Sequence, residues 1–167
     1  EDTEGILSPF TFIAGCIVFL NPLCAGASMT VIPREVIGNP LALAAFIDRM
    51  HISQLFMPPS VLKLFKPTGT SLRMVTTGSE RVSDVTSCDY SIYNLYGMSE
   101  TCAAVTAFPI DKPYHNTPVG RAMEGCAVYL LDENGQRFFG DGPCRLLLLV
   151  EKTRSLRAAA SEMGMAY

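Results

Sequence analysis

The residues best equipped for chemistry lie in one run, Tyr93 to Thr101, which reads Tyr-Asn-Leu-Tyr-Gly-Met-Ser-Glu-Thr. A β-favouring segment, residues 90–96, stops at Gly97, and hydroxyl and carboxylate side chains follow at once. This order predicts a buried strand that displays polar groups at its carboxyl end, where open α/β sheets bind ligands. An aromatic ring, a hydroxyl and a carboxylate there could hold a base, a phosphate and a divalent cation. The same order is also typical of a plain strand-to-turn junction in which Ser99 caps a helix.

The elements that must position this run alternate between strand and helix. Apolar and β-branched segments predict four strands, at residues 27–32, 52–57, 72–76 and 90–96. Helical patterns lie before or between them, at residues 13–25 ended by Gly26, 40–50 capped by Asn39, and 58–65. This alternation predicts the α/β fold class, with a mainly parallel sheet flanked by helices on both faces.

The pattern changes near residue 126. Segments 128–131 and 137–139 flank Asn134-Gly135, which is a strong signal for a hairpin turn. The sequence therefore predicts a small antiparallel β subdomain after the sheet, and residues 154–163 predict a short basic helix. We expect an α/β subdomain at residues 1–125, the start of a β subdomain at 126–143, and a distinct tail at 144–167.

The composition argues against several classes of function. The chain has 167 residues, a net charge of −3 and a pI near 5.3, which gives no electrostatic case for binding nucleic acid or an anionic membrane. Residues 6–33 carry no charge, but Pro9, Gly15 and Pro22 interrupt them, so we predict a buried helix and strand, with a membrane span as the alternative. The six cysteines form no Cys-x-x-Cys pair, which favours reduced thiols in a cytoplasmic protein and no zinc site.

Five sequence blocks follow one another in a recognisable order. They are Phe10-Thr11-Phe12, Phe56-Met57-Pro58-Pro59-Ser60, Thr77-Gly78-Ser79-Glu80, Asn94 to Thr101, and the loop and hairpin of residues 114–136. Their order and spacing resemble the adenylate-forming superfamily, which includes adenylation domains of nonribosomal peptide synthetases, acyl-CoA synthetases and luciferases. The last block is most similar to the peptide synthetase branch. The resemblance covers roughly residues 6–143, which correspond to the middle of the family's longer domain.

The resemblance implies a site for ATP or AMP and Mg²⁺. The cofactor-binding residues would come from the third and fourth blocks: Gly78, Ser79, Glu80, Tyr96, Gly97 and Ser99. The backbone of residues 78–80 would lie along the adenine, and Tyr96 would stack on it. The catalytic residues would be Ser99, which donates to the α-phosphate, and Glu100, which is the metal ligand. The alternatives are a core aromatic at Tyr96, a helix cap at Ser99, and an acidic residue at Glu100 favoured by the helix dipole.

The resemblance also implies a largely apolar substrate pocket. Its lining residues would be Ile13, Ala14, Ile17, Phe56, Val75, Thr77, Leu95, Ala103 and Ala104, for which plain core packing is the alternative. In family members that take α-amino acids, an aspartate follows Phe-x-Phe and pairs with the substrate's ammonium group, whereas Ile13 stands at that place here. Because an ammonium buried against isoleucine would be unpaired, the pattern predicts an acid without an α-amino group, or else decay of the pocket.

The reaction implied for the parent enzyme is an ATP-dependent ligation. A carboxylic acid substrate and ATP would give an acyl-adenylate, and the acyl group would pass to a carrier-protein phosphopantetheine or to CoA. The sequence contains no Gly/Ser/Thr-rich phosphate loop, and neither the family's ribose-binding aspartate motif nor its catalytic lysine motif. We therefore expect a fragment that is inactive without the rest of the adenylation domain, and a truncated or frame-shifted gene product would explain the departure after Pro143. The alternatives are a catalytically dead nucleotide-binding or interaction module, and an acyl-CoA synthetase relative.

Overall fold

The computed structural model of the chain describes residues 2–65, 69–86, 89–102 and 104–165. The chain divides into two compact units, residues 1–126 and residues 127–167. The two units are defined by their compactness alone. The predicted subdomain boundaries, at residues 1–125, 126–143 and 144–167, stay a prediction.

One sheet organises the first unit. Its strands within the described residues are β1 (Thr3–Ile6), β2 (Ser28–Val31), β3 (Gln54–Phe56), β4 (Met74–Gly78), β5 (Ser91–Gly97), β6 (Ala104–Ile110) and β7 (Arg121–Ala122). They are hydrogen-bonded in the order β2-β1-β3-β4-β5-β6-β7. The pairs among β1 to β5 are parallel, and β6 and β7 add antiparallel pairs at one side. The predicted mainly parallel sheet is confirmed.

Helices cover both faces of this sheet. They are α1 (Ile13–Ala25), α2 (Arg34–Ile37), α3 (Pro40–Arg49) and α4 (Pro59–Leu64). Val18 of α1 packs against Ile6 and Phe56, whereas α3 and α4 belong to a second core with Leu55 and Val75. Since neighbouring residues of a strand point to opposite faces, Phe56 and Leu55 show that α1 lies on one face and α3 and α4 on the other.

Local signals in the sequence explain where these helices begin and end. The Asn39 side chain accepts hydrogen bonds from the backbone N–H groups of Leu41 and Ala42, at 3.1 and 3.2 Å, which caps α3 as predicted. Helix α1 ends at Gly26, whose φ of 68° is the left-handed conformation that glycine favours. Pro22 lies inside α1, so the helix accommodates it rather than stopping there.

Strand β1 was not predicted from the sequence. It lies between β2 and β3, with Glu4 paired to Met29 on one side and to Gln54 on the other. The strand is only four residues long, and a charged residue and a glycine at its centre hide it from any apolar pattern. The helix after it then leads into β2, so residues 3–31 form one βαβ unit rather than a helix and strand alone.

The second unit combines a hairpin with two helices. Strands β8 (Leu130–Leu131) and β9 (Arg137–Phe139) pair antiparallel, as predicted for this region. The turn between them is closed by the Asp132 carboxylate, which accepts from the backbone N–H groups of Asn134 and Gln136. Helices α5 (Asp141–Thr153) and α6 (Leu156–Glu162) follow, and α6 accounts for the predicted short basic helix. No pattern in the sequence predicted α5.

The charge-free stretch of residues 6–33 folds as a loop, helix α1 and strand β2. Among the described residues, no helix has both the length and the apolar character that a membrane crossing would need.

Replacing Gly78 with alanine should destabilise the first unit by about 1–3 kcal/mol, the usual cost of overpacking. A Cβ atom built at Gly78 would lie 2.2 Å from the Leu95 carbonyl oxygen of the neighbouring strand, so β4 and β5 would have to separate. Urea unfolding followed by circular dichroism would measure the loss. The matched control is Gly38→Ala, because a Cβ there has no atom within 4 Å. Equal stability of the two variants would contradict this account of the β4–β5 contact.

Candidate functional site

A cavity of about 500 Å³ lies between helix α1 and the sheet of the first unit. Its α1 side is formed by Ile13, Ala14, Ile17, Val18, Asn21, Pro22 and Ala25. Its sheet side is formed by residues of β1, β3, β4 and β5 that face α1, and by Ala104 at the start of β6. The lining is mainly apolar, which suits the hydrocarbon part of a small ligand.

One end of the cavity opens at the carboxyl ends of β4 and β5. Gly78, Ser79, Gly97 and Met98 lie at this rim. The two strands are in register there, with Gly78 paired to Leu95, so the segment after β4 lies beside the segment after β5. Two of the predicted sequence blocks therefore meet at one edge of the sheet, which is where parallel sheets bind ligands.

Ser99 and Glu100 follow this rim in a short 3-10 helix, Ser99–Thr101. The Thr101 hydroxyl accepts from the Met98 N–H at 3.1 Å and donates to the Met98 carbonyl at 2.9 Å, which ties the turn together. Ser99 does not cap the turn, and its side chain and that of Glu100 are exposed. These two polar side chains are therefore free to meet a ligand.

The predicted adenine contacts lie at the same edge. Tyr96 is 46% exposed and alternates with Leu95 and Gly97, so its ring lies on the face of β5 that points away from the cavity. Ser79 has a φ of 70°, a left-handed conformation that a non-glycine residue adopts at a cost. This is the position where the resembling family has its second glycine, so the backbone keeps a glycine-like conformation although the side chain differs. Glu80 is exposed beside it.

A β-bulge lies between Tyr96 and Gly97, at the end of β5. Tyr96 pairs with Thr106 of β6, but Gly97 pairs with Ala104, so the register skips one residue of β6. Bulges bend a strand and re-aim its side chains, and they are frequent next to binding sites. The bulge marks the point where β5 leaves the sheet and enters the turn that carries Ser99.

The predicted substrate pocket divides into three groups. Six of its residues line the cavity: Ile13, Ala14, Ile17, Phe56, Leu95 and Ala104. Val75 and Thr77 are fully buried and point to the α3 face, because Thr76 and Gly78 are the residues of β4 that face α1. Their assignment to the pocket stays a prediction, and this geometry does not support it. Ala103 lies outside the described residues.

Two polar residues of the sheet hold the loop that follows it, rather than a ligand. The Asn94 side chain donates to the Pro118 carbonyl at 2.9 Å, and the Thr106 hydroxyl donates to the Val119 carbonyl at 2.6 Å. Asn94 and Thr106 thus anchor Pro118 and Val119, which belong to the last of the five sequence blocks. The asparagine at the start of the Asn-Leu-Tyr-Gly run therefore has a structural role in this chain.

The other end of the cavity is acidic, a feature that was not predicted from the sequence. Asp2 and Glu4 both line it. The Asp2 carboxylate is compensated, because it forms an ion pair with Arg73 and accepts from the Ser53 hydroxyl at 2.9 Å. Glu4 has no hydrogen-bond or ion-pair partner among the described residues, and burial raises the pKa of its carboxyl to about 7. The sequence held one signal for this position: in a strand, Glu4 and Ile6 lie on the same face and Gly5 on the other. A glutamate that shares a face with an apolar residue indicates a carboxylate beside the core.

The described residues contain no group of three or more histidine, cysteine, aspartate or glutamate side chains that could hold a metal ion by themselves. A single carboxylate such as Glu100 suits Mg²⁺ only where phosphate oxygens and waters complete the shell, which is how nucleotide-bound Mg²⁺ is usually held. The exposed position of Glu100 next to Ser99 fits that arrangement.

Replacing Glu4 with glutamine should raise stability at alkaline pH and leave it almost unchanged at acid pH. The folded pKa of about 7 exceeds that of an unfolded glutamate, so the folded state binds more protons between the two values, and the free energy of unfolding falls as pH rises through this window. Glu4→Gln removes that fall and should add about 1–3 kcal/mol at pH 8.5. Urea unfolding at pH 4.5 and pH 8.5 would measure it. The control is Glu124→Gln at an exposed site, and an equal gain from it would contradict the role of burial.

Comparison with known proteins identifies the family. The family model described as "AMP-binding enzyme" matches residues 2–143. Bacitracin synthase 1 of Bacillus licheniformis is 29% identical over 137 residues, which are 81% of this chain and 3% of that protein. The crystal structure of IdnL1 superposes with a TM-score of 0.71 at 20% identity, covering 85% of this chain and 33% of that one.

A further structure relates the fold to an adenylation domain. The Vibrio cholerae adenylation domain AlmE, solved in complex with glycyl-adenosine-5'-phosphate, superposes with a TM-score of 0.69 at 24% identity. The match covers 83% of this chain and 29% of that one, so the chain spans about a third of these solved structures and a much smaller share of the synthetase. The chain therefore belongs to the family of AMP-binding enzymes, as a stretch of an adenylation domain of the nonribosomal peptide synthetase type.

Proposed function

We propose that this chain forms the acid-binding cavity and part of the nucleotide-binding edge of a carboxylate-activating adenylation domain. The parent would join a carboxylic acid to ATP, release pyrophosphate, and pass the acyl group from the adenylate to a thiol. The observation that carries the proposal is the shared rim: the apolar cavity under α1 opens where Gly78, Ser79 and Gly97 meet. An acid inside the cavity would present its carboxylate at the edge where Ser99 and Glu100 follow.

The chemistry at this edge is mainly electrostatic. Mg²⁺, when bound with the nucleotide, supplies positive charge that offsets the phosphate oxygens while the acid carboxylate attacks. Glu100 would hold the ion, and the Ser99 hydroxyl would donate to the α-phosphate. Tyr96, whose ring is exposed on the other face of β5, would stack on the adenine. Within the described residues, the side chains of Ser99 and Glu100 form no competing hydrogen bonds, which supports these roles.

The thiol acceptor in the parent would be the phosphopantetheine of a carrier protein, by likeness to the peptide synthetases, or CoA. The chain alone should not turn over, because the motifs that bind the triphosphate and the ribose, and the catalytic lysine, are absent from its sequence. The rest of the adenylation domain would supply them.

The cavity favours an acid without an α-amino group. Ile13 stands at the first position of α1 and lines the cavity, where an aspartate would be needed to pair with an α-ammonium. The neighbouring lining residues at this end, Ala14, Ile17 and Leu95, offer no charge. Leaving an ammonium unpaired in such a place costs several kcal/mol. An aryl, fatty or keto acid avoids that cost.

Nucleotide binding by the chain itself should be weak and Mg²⁺-dependent. We expect a dissociation constant of about 1 mM or weaker for ATP, since most of the phosphate contacts are absent. Isothermal titration with and without Mg²⁺ should show that Glu100→Gln removes the Mg²⁺ effect, while Ser99→Ala weakens binding under both conditions. Exposed Glu35→Gln is the matched control. Tight ATP binding that Glu100→Gln leaves unchanged would refute the roles, and pyrophosphate exchange by the chain alone would refute its inactivity.

Residues 10–104, grafted into an intact adenylation domain, should direct it towards acids that lack an α-amino group. Pyrophosphate exchange with pairs of acids that differ only in the α-amino group would measure the preference. Ile13→Asp in the same graft should shift the preference towards the α-amino member, because the carboxylate supplies the missing partner. A preference of the unmodified graft for α-amino acids would contradict the proposal. Silence with every acid, in a graft that still binds ATP, would indicate a decayed pocket.

A further inference from the structure

The cavity has two chemically different ends, and strand register fixes their separation. Glu4 of β1 is in register with Gln54 of β3, and Gln54 is in register with Met74 of β4. Gly78, at the rim, lies four residues further along β4. At about 3.3 Å per residue, the Glu4 level is therefore about 13 Å from the rim along the strands.

Among the described residues, no cationic side chain compensates the Glu4 carboxylate. The elements packed around it present Met29 from β2, Gln54 from β3 and Asn21 and Pro22 from α1, none of which titrates. The other charged groups at this end, Asp2 and Arg73, are paired with each other. A carboxylate in a partly desolvated site gains most from a ligand that brings positive charge, since the attraction is screened less there than in water.

We propose that Glu4 is a specificity-determining residue that selects carboxylic acids carrying an ammonium group at the end opposite the carboxylate. The proposal rests on the proposed function, which places the ligand's carboxylate at the rim. It complements the lining at Ile13: the cavity has no partner for an amine next to the carboxylate, and it has one for an amine far from it.

The separation of the two ends sets the length of the ligand. A contact of about 3 Å at each end of a 13 Å path leaves about 7 Å along the strands between the ligand's two charged groups. An ω-amino acid with a short alkyl spacer, such as 6-aminohexanoate, has this form, and hexanoate is its matched analogue without the amine.

Selection for the amine should strengthen as Glu4 loses its proton. Burial raises the pKa of the Glu4 carboxyl to about 7, so the group is mainly neutral at pH 5.5 and mainly charged at pH 8.5. The alkyl ammonium stays protonated over this range, since amines of this kind titrate near pH 10. The preference for 6-aminohexanoate over hexanoate should therefore grow between pH 5.5 and pH 8.5.

The test is direct binding to the chain, which NMR titration measures with 6-aminohexanoate and with hexanoate. Each titration is run at pH 5.5 and at pH 8.5. At pH 8.5 the wild type should bind the amino acid about tenfold more tightly than hexanoate, as for a close and partly desolvated charge pair. Glu4→Gln should abolish this preference and leave hexanoate binding equal or stronger. Glu124→Gln, at an exposed site outside the cavity, should behave as the wild type.

Three outcomes would overturn the proposal: equal binding of the two acids by the wild type, a preference that survives in Glu4→Gln, or no binding of either acid. An ATP titration on the same samples distinguishes failure of the proposed role of Glu4 from failure of the proposed function. If Mg²⁺-dependent ATP binding is intact and the amine preference is absent, only the role of Glu4 is wrong. Thermal melts of both variants show that they are folded, and the melt is informative because Glu4→Gln should be the more stable.

Discussion

The contact between β4 and β5 is the constraint on which the candidate site depends. Parallel strands are usually joined through a helix, yet the connection at residues 79–90 contains none in its described part, residues 79–86 and 89–90. The strands approach so closely at Gly78 that a Cβ would collide with the Leu95 carbonyl. This approach sets the segment after β4 beside the turn that carries Ser99. The packing of the two strands therefore requires a glycine at this position, whether or not a nucleotide binds there.

The acidic end of the cavity shows how burial and function oppose each other. Asp2 and Glu4 lie two residues apart, but Arg73 and Ser53 compensate only Asp2. Glu4 stays partly desolvated on β1, the second strand from one edge of the sheet, and this desolvation lowers the free energy of unfolding at neutral and alkaline pH. Folded proteins tend to keep such uncompensated groups where a ligand supplies the missing partner. A stability cost confined to one carboxylate inside a cavity is therefore an indication of binding.

The sequence predicted the elements well where a local signal has a local cause. Asn39 caps a helix through its own side chain, Gly26 ends one through its backbone conformation, and Asn134-Gly135 turns a hairpin. It failed where tertiary context decides. Strand β1 contains a charge that only the cavity explains, and the residues of β4 are small or apolar on both faces, so alternation could not tell Val75 from Thr76. Only the packing of α1 against one face of the sheet shows that Thr76 rather than Val75 faces the cavity.

The positions of Ile13 and Glu4 together also orient a ligand. An acid that entered with its carboxylate towards the deep end would bring two negative charges together in a partly desolvated site, where they repel more strongly than in water. The same acid entering the other way keeps its carboxylate at the rim, beside the segment that carries Ser99 and Glu100. Glu4 would thus disfavour the unproductive orientation whether or not the ligand carries an amine, and an amine would add an attraction to that repulsion. Under the proposed function, specificity and orientation would then arise from one side chain, since a single half-buried carboxylate would distinguish the two ends of the ligand.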